Sequence, residues 1–217
     1  MIVGNGLIAK SFLKKYGKDN NIIIFASGVS NSKETNPDNF KREEDLLVSF
    51  LKTYPQIKFI YISTILIGYK TNQYYTHKKE MEKLISKYSK DYIIFRVPQL
   101  IGSSGNSNNI VNYLVNRIAS GKSFEVYGGV KRSILDVVDL VNLVGYCKDI
   151  ITCETVNVGG IETVSVIDLS KIIQYFFGVG MESLKMVIKD VNEDDGWTLS
   201  SSPIFKEYLT EFKIEST

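Results

Sequence analysis

Apolar residues along this chain fall into two kinds of run. Short blocks rich in β-branched and aromatic residues alternate with longer stretches whose apolar positions recur every three or four residues. Lys58-Phe-Ile-Tyr-Ile62, Asn21–Gly28 and Asp91–Pro98 are of the first kind. Each is nearly continuous rather than alternating, so each is expected to be a strand covered on both faces. Helical patterns lie between them. One runs through Phe40 to Leu51. Another opens at Tyr74 and places Met81, Leu84, Ile85 and Tyr88 at i, i+3, i+4 and i+7. At the start, a very short strand leads into an amphipathic stretch through Phe12, Leu13 and Tyr16. Later come a helix through Ile110, Tyr113, Leu114 and Ile118, a helix Leu140–Tyr146 expected to be capped by Asp139, a strand at Thr155–Gly160, and a helix opening at Thr163–Leu169 and ending near Gly178. Strands alternating with helices predict an α/β fold with a parallel sheet.

Composition narrows this little. The chain has 217 residues, enough for one compact unit, with 44% apolar and 23% charged residues and a formal net charge of +2. The scattered charge excludes a basic nucleic-acid footprint. Cys147 and Cys153 have neither metal nor redox spacing, and no metal site is expected. No apolar run is long enough to span a bilayer. Met1 enters a strand at once, leaving no room for a signal peptide, so a cytoplasmic location is expected.

Candidate chemistry gathers where the central strand meets the next helix. The strand ends in Ser63 and Thr64, and the helix opens with two overlapping Tyr-x-x-x-Lys pairs, Tyr74 with Lys78 and Tyr75 with Lys79. At ~100° per residue, Tyr74 falls roughly 20° and Lys78 roughly 60° from Met81, on the inward face. Tyr75 and Lys79 fall roughly 120° and 160° away, toward solvent. An inward lysine needs a partner or a polar site. Beside a tyrosine it would stabilise the phenolate and lower the phenol pKa, fitting that tyrosine for proton transfer at a carbonyl or carbinol oxygen. Thr64 could hold the same oxygen. The plain alternative is an amphipathic helix whose first turn happens to contain Tyr and Lys. His77, the only histidine, is expected to pack on the inward face.

A second signal opens the chain. Gly4-x-Gly6-x-x-Ala9 follows a strand and starts a helix, the context of a dinucleotide-binding turn. Gly4 permits the tight turn, and Gly6, followed by Leu7 and Ile8, lets backbone approach a pyrophosphate at the helix N-terminus. A Gly-rich turn without a ligand is the alternative. An acid to hold the adenosine ribose is expected ~20 residues on. The next strand ends in Ala26-Ser27-Gly28 instead.

Ser63-Thr64 followed by Tyr74-Tyr-Thr-His-Lys-Lys-Glu-Met-Glu82 resembles the extended short-chain dehydrogenases/reductases, the nucleotide-sugar-modifying NAD-dependent epimerase/dehydratase family. Its usual Tyr-Gly-x-Ser-Lys-x-x-x-Glu segment selects the Tyr74/Lys78 frame. Arg96 to Gly102 resembles the family's Arg-x-x-x-x-x-Gly strand and loop. Gly128–Leu140 resembles its Gly-x-x-x-Arg-Asp segment, with Ser133 replacing the Asp. Thr155–Gly160 resembles its Tyr-Asn-Val-Gly strand, and Trp197–Phe205 its closing helix. In that family an Ala/Gly-rich strand end like Ala26–Gly28 belongs to the fourth strand. The second and third strands, which build the adenosine pocket, are therefore expected to be missing. A direct crossover from the first strand into the fourth slot would put the first helix on an unusual face.

The resemblance implies a reduced Rossmann-like parallel sheet flanked by helices, with a small C-terminal substrate-binding lobe. Residues 1–217 would form one compact unit, with a core of 1–102 completed by about 134–160, and a lobe of 103–133 and 161–217. It implies catalysis by Tyr74, Lys78 and Thr64. Weakly held NAD or NADP would contact Gly4, Gly6, Leu7, Ile8, Ala26, Ser27, Gly28, Ser63, Lys78 and Pro98. A nucleoside-diphosphate sugar would contact Arg132, whose guanidinium fork suits phosphate, and Asn109, for which helix capping is the equal alternative. The 4,6-dehydratases carry Asp-Glu after the Thr; Ile65 and Leu66 stand here and can serve as neither acid nor base. That leaves 4-ketoreduction or epimerisation. The resemblance further implies a place in surface-polysaccharide sugar biosynthesis and suggests a homodimer through the two helices 38–54 and 74–90; no membrane partner is expected. The competing hypothesis is a non-catalytic nucleotide-sugar-binding or scaffold protein that has lost its cofactor.

Overall fold

A computed structural model describes residues 1–102, 110–159, 163–180, 185–189 and 203–204. The chain divides into two compact units. The first comprises residues 1–102, 135–159 and 200–217; the second comprises 103–134 and 160–199.

The first unit is built on one parallel sheet. Its strands are β1 (Ile2–Val3), β2 (Ile22–Phe25), β3 (Lys58–Thr64), β4 (Tyr92–Val97) and, returning from the second unit, β9 (Glu154–Asn157), in the order β1-β2-β3-β4-β9. Every neighbouring pair is parallel. All four residues of β2 and five of seven in β3 are buried, as continuous apolar strands between two helical layers should be.

Alternating side chains feed two cores. Ile22, Ile24, Ile60 and Ile62 point to one face and pack with Phe12 and Tyr16 of α1 (Leu7–Tyr16) and Leu140, Val141 and Val144 of α5 (Val137–Cys147). Ile23, Phe25, Phe59 and Tyr61 point to the other. There they meet Leu47 and Leu51 of α2 (Pro37–Thr53) and Met81 and Ile85 of α3 (Gln73–Tyr88). Asn36 and Asn72 cap α2 and α3, each accepting a backbone N–H with its side chain.

These two faces answer the topological question raised by the sequence. The steps β1→β2, β2→β3 and β3→β4 all run the same way across the sheet, yet α1 lies on the opposite face from α2 and α3. The β1-α1-β2 crossover is therefore opposite in hand to the two that follow, a rare arrangement for parallel neighbours. α1 is held there by α5: Tyr16 reaches the Val141 carbonyl at 3.4 Å and Lys15 donates to Asn142 Oδ1 at 3.3 Å. β1, only two residues long, forms the sheet edge.

In the second unit, α4 (Ile110–Ala119) and α6 (Val166–Phe176) bury Leu114, Ile118, Val166 and Ile173 around Phe124 and Val126 of β6 (Phe124–Tyr127). β6 pairs in parallel with β11 (Met186–Lys189), and β7 (Lys131–Arg132) pairs antiparallel with β10 (Val164–Ser165). The two remaining strands, β5 (Gln99–Ile101) and β8 (Ile134–Asp136), form a short ladder where the chain leaves and re-enters the sheet unit.

The expected cap of α5 is corrected by the structure. Asp136, not Asp139, is the N-cap: its backbone is extended and its carboxylate accepts Val138 N–H at 2.7 Å. The helix starts three residues earlier than Leu140 because Val137 already packs on the buried side, which leaves Asp139 exposed in the first turn. The segment expected to close the fold, Trp197–Phe205, lies outside the described residues apart from positions 203 and 204, which are helical.

Candidate active site

Four adjacent parallel strands end at one edge of the sheet, and each is followed by predicted site residues. Gly4 and Gly6 follow β1, Ala26–Gly28 follow β2, Ser63 and Thr64 end β3, and Pro98 follows β4. In open parallel sheets, the carboxyl ends of the strands form the ligand-binding side.

The glycine turn leaves its backbone open. Gly4 sits at φ +129°, and a Cβ there would come within 2.5 Å of the Ala26 carbonyl oxygen. Only glycine fits both the conformation and the close backbone approach. A Cβ on Gly6 would meet nothing within 4 Å. Gly6 is also the N-cap of α1, and no side chain caps that end. The first-turn N–H groups of α1 can thus face an anion, aided by the helix dipole. Leu7 opens α1 half-buried, within reach of a Cβ placed on Gly102, and Ile8 packs against the α1/α5 core.

On α3 the inward lysine is Lys78: it is 3% exposed, whereas Lys79 faces solvent. The tyrosines differ from expectation. Tyr74 is half-buried, but Tyr75 is buried too, edge-on to Tyr74 at a ring distance of 5.0 Å. Glu82, one heptad after Tyr75, is buried on the same side of the helix. Angles taken from Met81 measure from one margin of the buried stripe; counting Glu82, the stripe widens by about one residue and takes in Tyr75.

Lys78 is the centre of a polar cluster. Its ammonium donates to Glu43 Oε1 at 2.9 Å and to the Tyr61 hydroxyl at 3.1 Å. Tyr61 in turn donates to Glu43 Oε1 at 2.7 Å, and the Val29 N–H donates to Oε2 at 2.6 Å. His77 Nε2 lies 3.1 Å from Oε2, with its ring tilted on Phe40 at 4.9 Å, so His77 both packs and joins the cluster. Glu43 is fully buried. Burial alone pushes its carboxyl up, but the Lys78 charge and hydrogen bonds from His77, Lys78 and Tyr61 outweigh that. They hold it well below the usual carboxylate range. Tyr61 is driven the other way, well above the ordinary tyrosine value, by burial and then by the Glu43 charge.

The direction for Tyr74 is opposite to the lowering expected beside a lysine. Burial, then Tyr75 and the Glu43 charge, raise the Tyr74 phenol above its ordinary value. The lysine stands 5.8 Å from the Tyr74 ring, but its charge is cancelled by Glu43.

Gly28 has a role the sequence did not suggest. A Cβ there would lie 2.5 Å from Lys78 Nζ and 2.7 Å from Glu43 Oε1. The glycine leaves room for this ion pair against the end of β2. Ser27 beside it accepts from Arg42 at both its hydroxyl (3.3 Å) and its carbonyl (3.1 Å).

Ser63 points away from the turn region: it is buried and donates to Glu82 Oε1 at 2.6 Å. Glu82 also accepts a forked pair of bonds from Arg96. Thr64 is half-buried, with Oγ1 accepting from Leu66 N–H at 3.3 Å, and Ile65 is buried behind it. Arg132 belongs to the second unit, where its guanidinium reaches the Lys131 carbonyl at 3.2 Å. Asn109 lies outside the described residues.

Glu43 and Tyr61 are the residues that sequence reasoning missed. A signal was present: on α2, Glu43 falls on the same stripe as Leu47 and Leu51, so an acid sits inward on α2 just as a lysine does on α3.

The sequence of residues 22–159 matches the model of the family described as NAD dependent epimerase/dehydratase. A search of curated proteins finds no sequence match. Among solved structures, the fold is similar to UDP-N-acetylglucosamine 4-epimerase from Bacillus cereus. The TM-score is 0.70 at 14% identity, over 99% of this chain and 97% of that one. It is similar also to dTDP-glucose 4,6-dehydratase from Bacillus anthracis, solved with NAD (TM-score 0.68, 18% identity, 96% of this chain and 71% of that one). A third is the Bordetella bronchiseptica enzyme WbmG, solved with NAD and UDP (TM-score 0.67, 14% identity, 97% and 73%).

Proposed function

This chain belongs to the NAD dependent epimerase/dehydratase family, and from that premise we propose that it is a nicotinamide-dependent enzyme that epimerises or ketoreduces the sugar of a nucleoside diphosphate sugar. The observation that carries the reading is the gathering of Gly4–Gly6, Ala26–Gly28, Thr64 and Pro98 at the carboxyl ends of four adjacent parallel strands, with Tyr74 and Lys78 on the helix that follows β3. The uncapped N-terminus of α1 and the bare backbone at Gly6 fit a pyrophosphate. Lys78, with two of its three N–H groups engaged by Glu43 and Tyr61, keeps one for a ribose hydroxyl. When bound, the nicotinamide supplies the hydride chemistry. The chain's own residues bind and move protons. Thr64 orients the reacting sugar oxygen, Tyr74 exchanges a proton with it, and Arg132, together with Asn109, holds the diphosphate. Ile65 and Leu66 offer no acid or base, which favours epimerisation or ketoreduction over dehydration.

Calorimetric titration tests the reading. NADH should bind the purified protein, and a uridine or thymidine diphosphate sugar should bind it as well. Arg132→Ala should weaken the sugar nucleotide by roughly tenfold or more and leave NADH nearly unchanged, because a charge-assisted phosphate contact is removed. Failure of the native protein to bind either ligand would sink the proposal; unchanged sugar-nucleotide affinity in the variant would remove Arg132 from it.

A further inference from the structure

Arg42 is a charge that the site described above leaves without a task. It stands in the second turn of α2 with two carboxylates at helical spacing, Asp38 four residues before it and Asp45 three residues after. Such spacing ordinarily supplies an ion pair along the helix surface. Arg42 takes neither: it meets no carboxylate among the described residues, and Asp45 goes to Lys41 at 3.1 Å. Its guanidinium turns instead to the end of β2. There Nη1 donates to the Ser27 hydroxyl at 3.3 Å and Nη2 donates to the Ser27 carbonyl at 3.1 Å.

Ser27 lies midway along the strand ends. On one side is the glycine turn after β1: a Cβ added to Gly4 would fall 2.5 Å from the Ala26 carbonyl oxygen and 3.1 Å from the Ser27 amide nitrogen. On the other side the next residue, Gly28, lies against Lys78, whose Nζ a Cβ there would approach to 2.5 Å. Arg42 therefore brings a positive charge to a point between the turn assigned to the pyrophosphate and the lysine assigned to the nicotinamide ribose.

We propose that Arg42 binds the pyrophosphate of the dinucleotide: held on Ser27 by two N–H groups, it offers the rest of its guanidinium to a phosphate oxygen beside the Gly4–Gly6 turn. This role deepens the function given above and rests on its placing of the dinucleotide along the strand ends. The turn and the start of α1 offer backbone N–H groups and a partial charge. A diphosphate carries full negative charge, and a guanidinium answers it with charge-assisted bonds. Two of the five N–H groups of Arg42 are used on Ser27, which orients the planar fork and leaves the others as donors. α1 and α2 lie on opposite faces of the sheet, so helix N-terminus and arginine would hold the pyrophosphate from both sides of the strand ends. Ser27 is on the Lys78 side of the glycine turn, and the adenosine lies on the other side, by the β1 edge. Arg42 thus adds affinity for the dinucleotide without choosing between NADH and NADPH.

ADP is the probe, because it carries the diphosphate and neither nicotinamide nor a substrate sugar. ¹⁵N-labelled protein is titrated with ADP by NMR and followed at the amides of Gly6, Leu7 and Ile8. All three should shift in the native protein. Arg42→Ala should weaken ADP roughly tenfold or more, as loss of a charge-assisted phosphate contact does. Arg42→Lys restores the charge but cannot make both bonds to Ser27, and it should recover most of the affinity. Arg42 is exposed, so both variants should fold. NADH and NADPH should lose affinity for Arg42→Ala by the same factor. Unchanged ADP affinity in Arg42→Ala overturns the proposal. So does an Arg42→Lys protein as weak as Arg42→Ala, which would make Arg42 a tether between α2 and β2. A loss confined to NADPH overturns it too, by moving Arg42 to the 2′-phosphate. A native protein that does not bind ADP also overturns it, and leaves the NADH titration to judge the nicotinamide reading. Failure to bind NADH with the ADP results as expected would sink that reading and leave Arg42 as a diphosphate-binding residue.

Discussion

α3 carries two buried charges four residues apart, and they have opposite neighbours. Lys78 pairs with Glu43 of α2, and Glu82 pairs with Arg96 of β4. At Glu82 the guanidinium fork covers both carboxylate oxygens, and Ser63 adds a further bond. Arg96 keeps 28% of its side chain exposed, and the hydrogen bonds it donates to Glu82 raise its pKa. That arrangement ties helix to strand and leaves its cation partly in water. At Lys78 neither partner is hydrated: the side chains are 4% and 0% exposed. There a compact ammonium meets an oxygen shared with a phenol. Two pairs of the same formal kind therefore do different work. The Arg96 pair closes on itself, and the Lys78 pair adjoins Tyr74 at the strand ends.

The largest effect expected from this contrast is on turnover. Tyr74→Phe removes the hydroxyl proposed to exchange a proton with the sugar oxygen and should lower kcat about 10²–10⁴-fold, the range for a general acid or base. Tyr75→Phe keeps its buried ring on Tyr74 and should change kcat less than about tenfold. Steady-state kinetics on the two variants decides between the frames. Equal losses would mean that helical position does not separate the tyrosines.

The next effect is on stability, and it distinguishes the two pairs. Lys78→Met leaves Glu43 buried without its charge partner and should cost about 3–5 kcal/mol in urea denaturation. The double variant Glu43→Gln/Lys78→Met should recover most of that, because no unpaired charge remains. The pair also has a pH signature. The folded-state pKa of Glu43 is depressed, so its contribution is fully present above its ordinary value of 4.5 and is lost as pH falls below that. Glu43→Gln should therefore flatten the stability profile below pH 4.5. An unchanged acid limb would mean that Glu43 is not held as a carboxylate in the folded protein.

How much of this was legible in the sequence follows from the same pairs. The strands were readable because Ile22–Phe25 and Lys58–Ile62 are continuous apolar runs, and α3 because its apolar spacing is regular. Lys78 stood out because a lysine on an apolar stripe is unusual. Glu43 and Glu82 sit on stripes in the same way, but a partner for either lies far along the chain. Glu43 meets Lys78 only when α2 and α3 share a sheet face, and Glu82 meets Arg96 only when α3 lies over β4. Local spacing shows that a charge is inward; it does not show which opposite charge will be there. The same limit hid Tyr75, which is buried on the same side of α3 as Glu82. The hand of β1-α1-β2 was out of reach for a related reason, since α1 takes its face from packing on α5, more than a hundred residues later.

The smallest expected effect concerns the two ends of the proposed cofactor track, one dense and one sparse. The Lys78 end is enclosed by α2, α3 and β3. The other end lies by β1, a two-residue strand at the edge of the sheet, and no acidic residue follows β2 where a ribose would be held. Arg42, a cation beside the β2 end, directs its guanidinium onto Ser27. Losing buried contacts at one end of a ligand lowers affinity and leaves the geometry of the other end in place. NADH should therefore bind loosely, on the order of −5 kcal/mol, or a Kd in the upper micromolar range. Nothing identified at the sparse end reads the ribose 2′ position, so NADPH should bind within about tenfold of NADH. Parallel titrations of the two cofactors measure the ratio. A large preference for NADPH that disappears in Arg42→Ala would show that this arginine leaves Ser27 to take the 2′-phosphate. A large preference that survives the substitution would mean that the adenosine end is walled by residues other than those at the β1 and β2 strand ends.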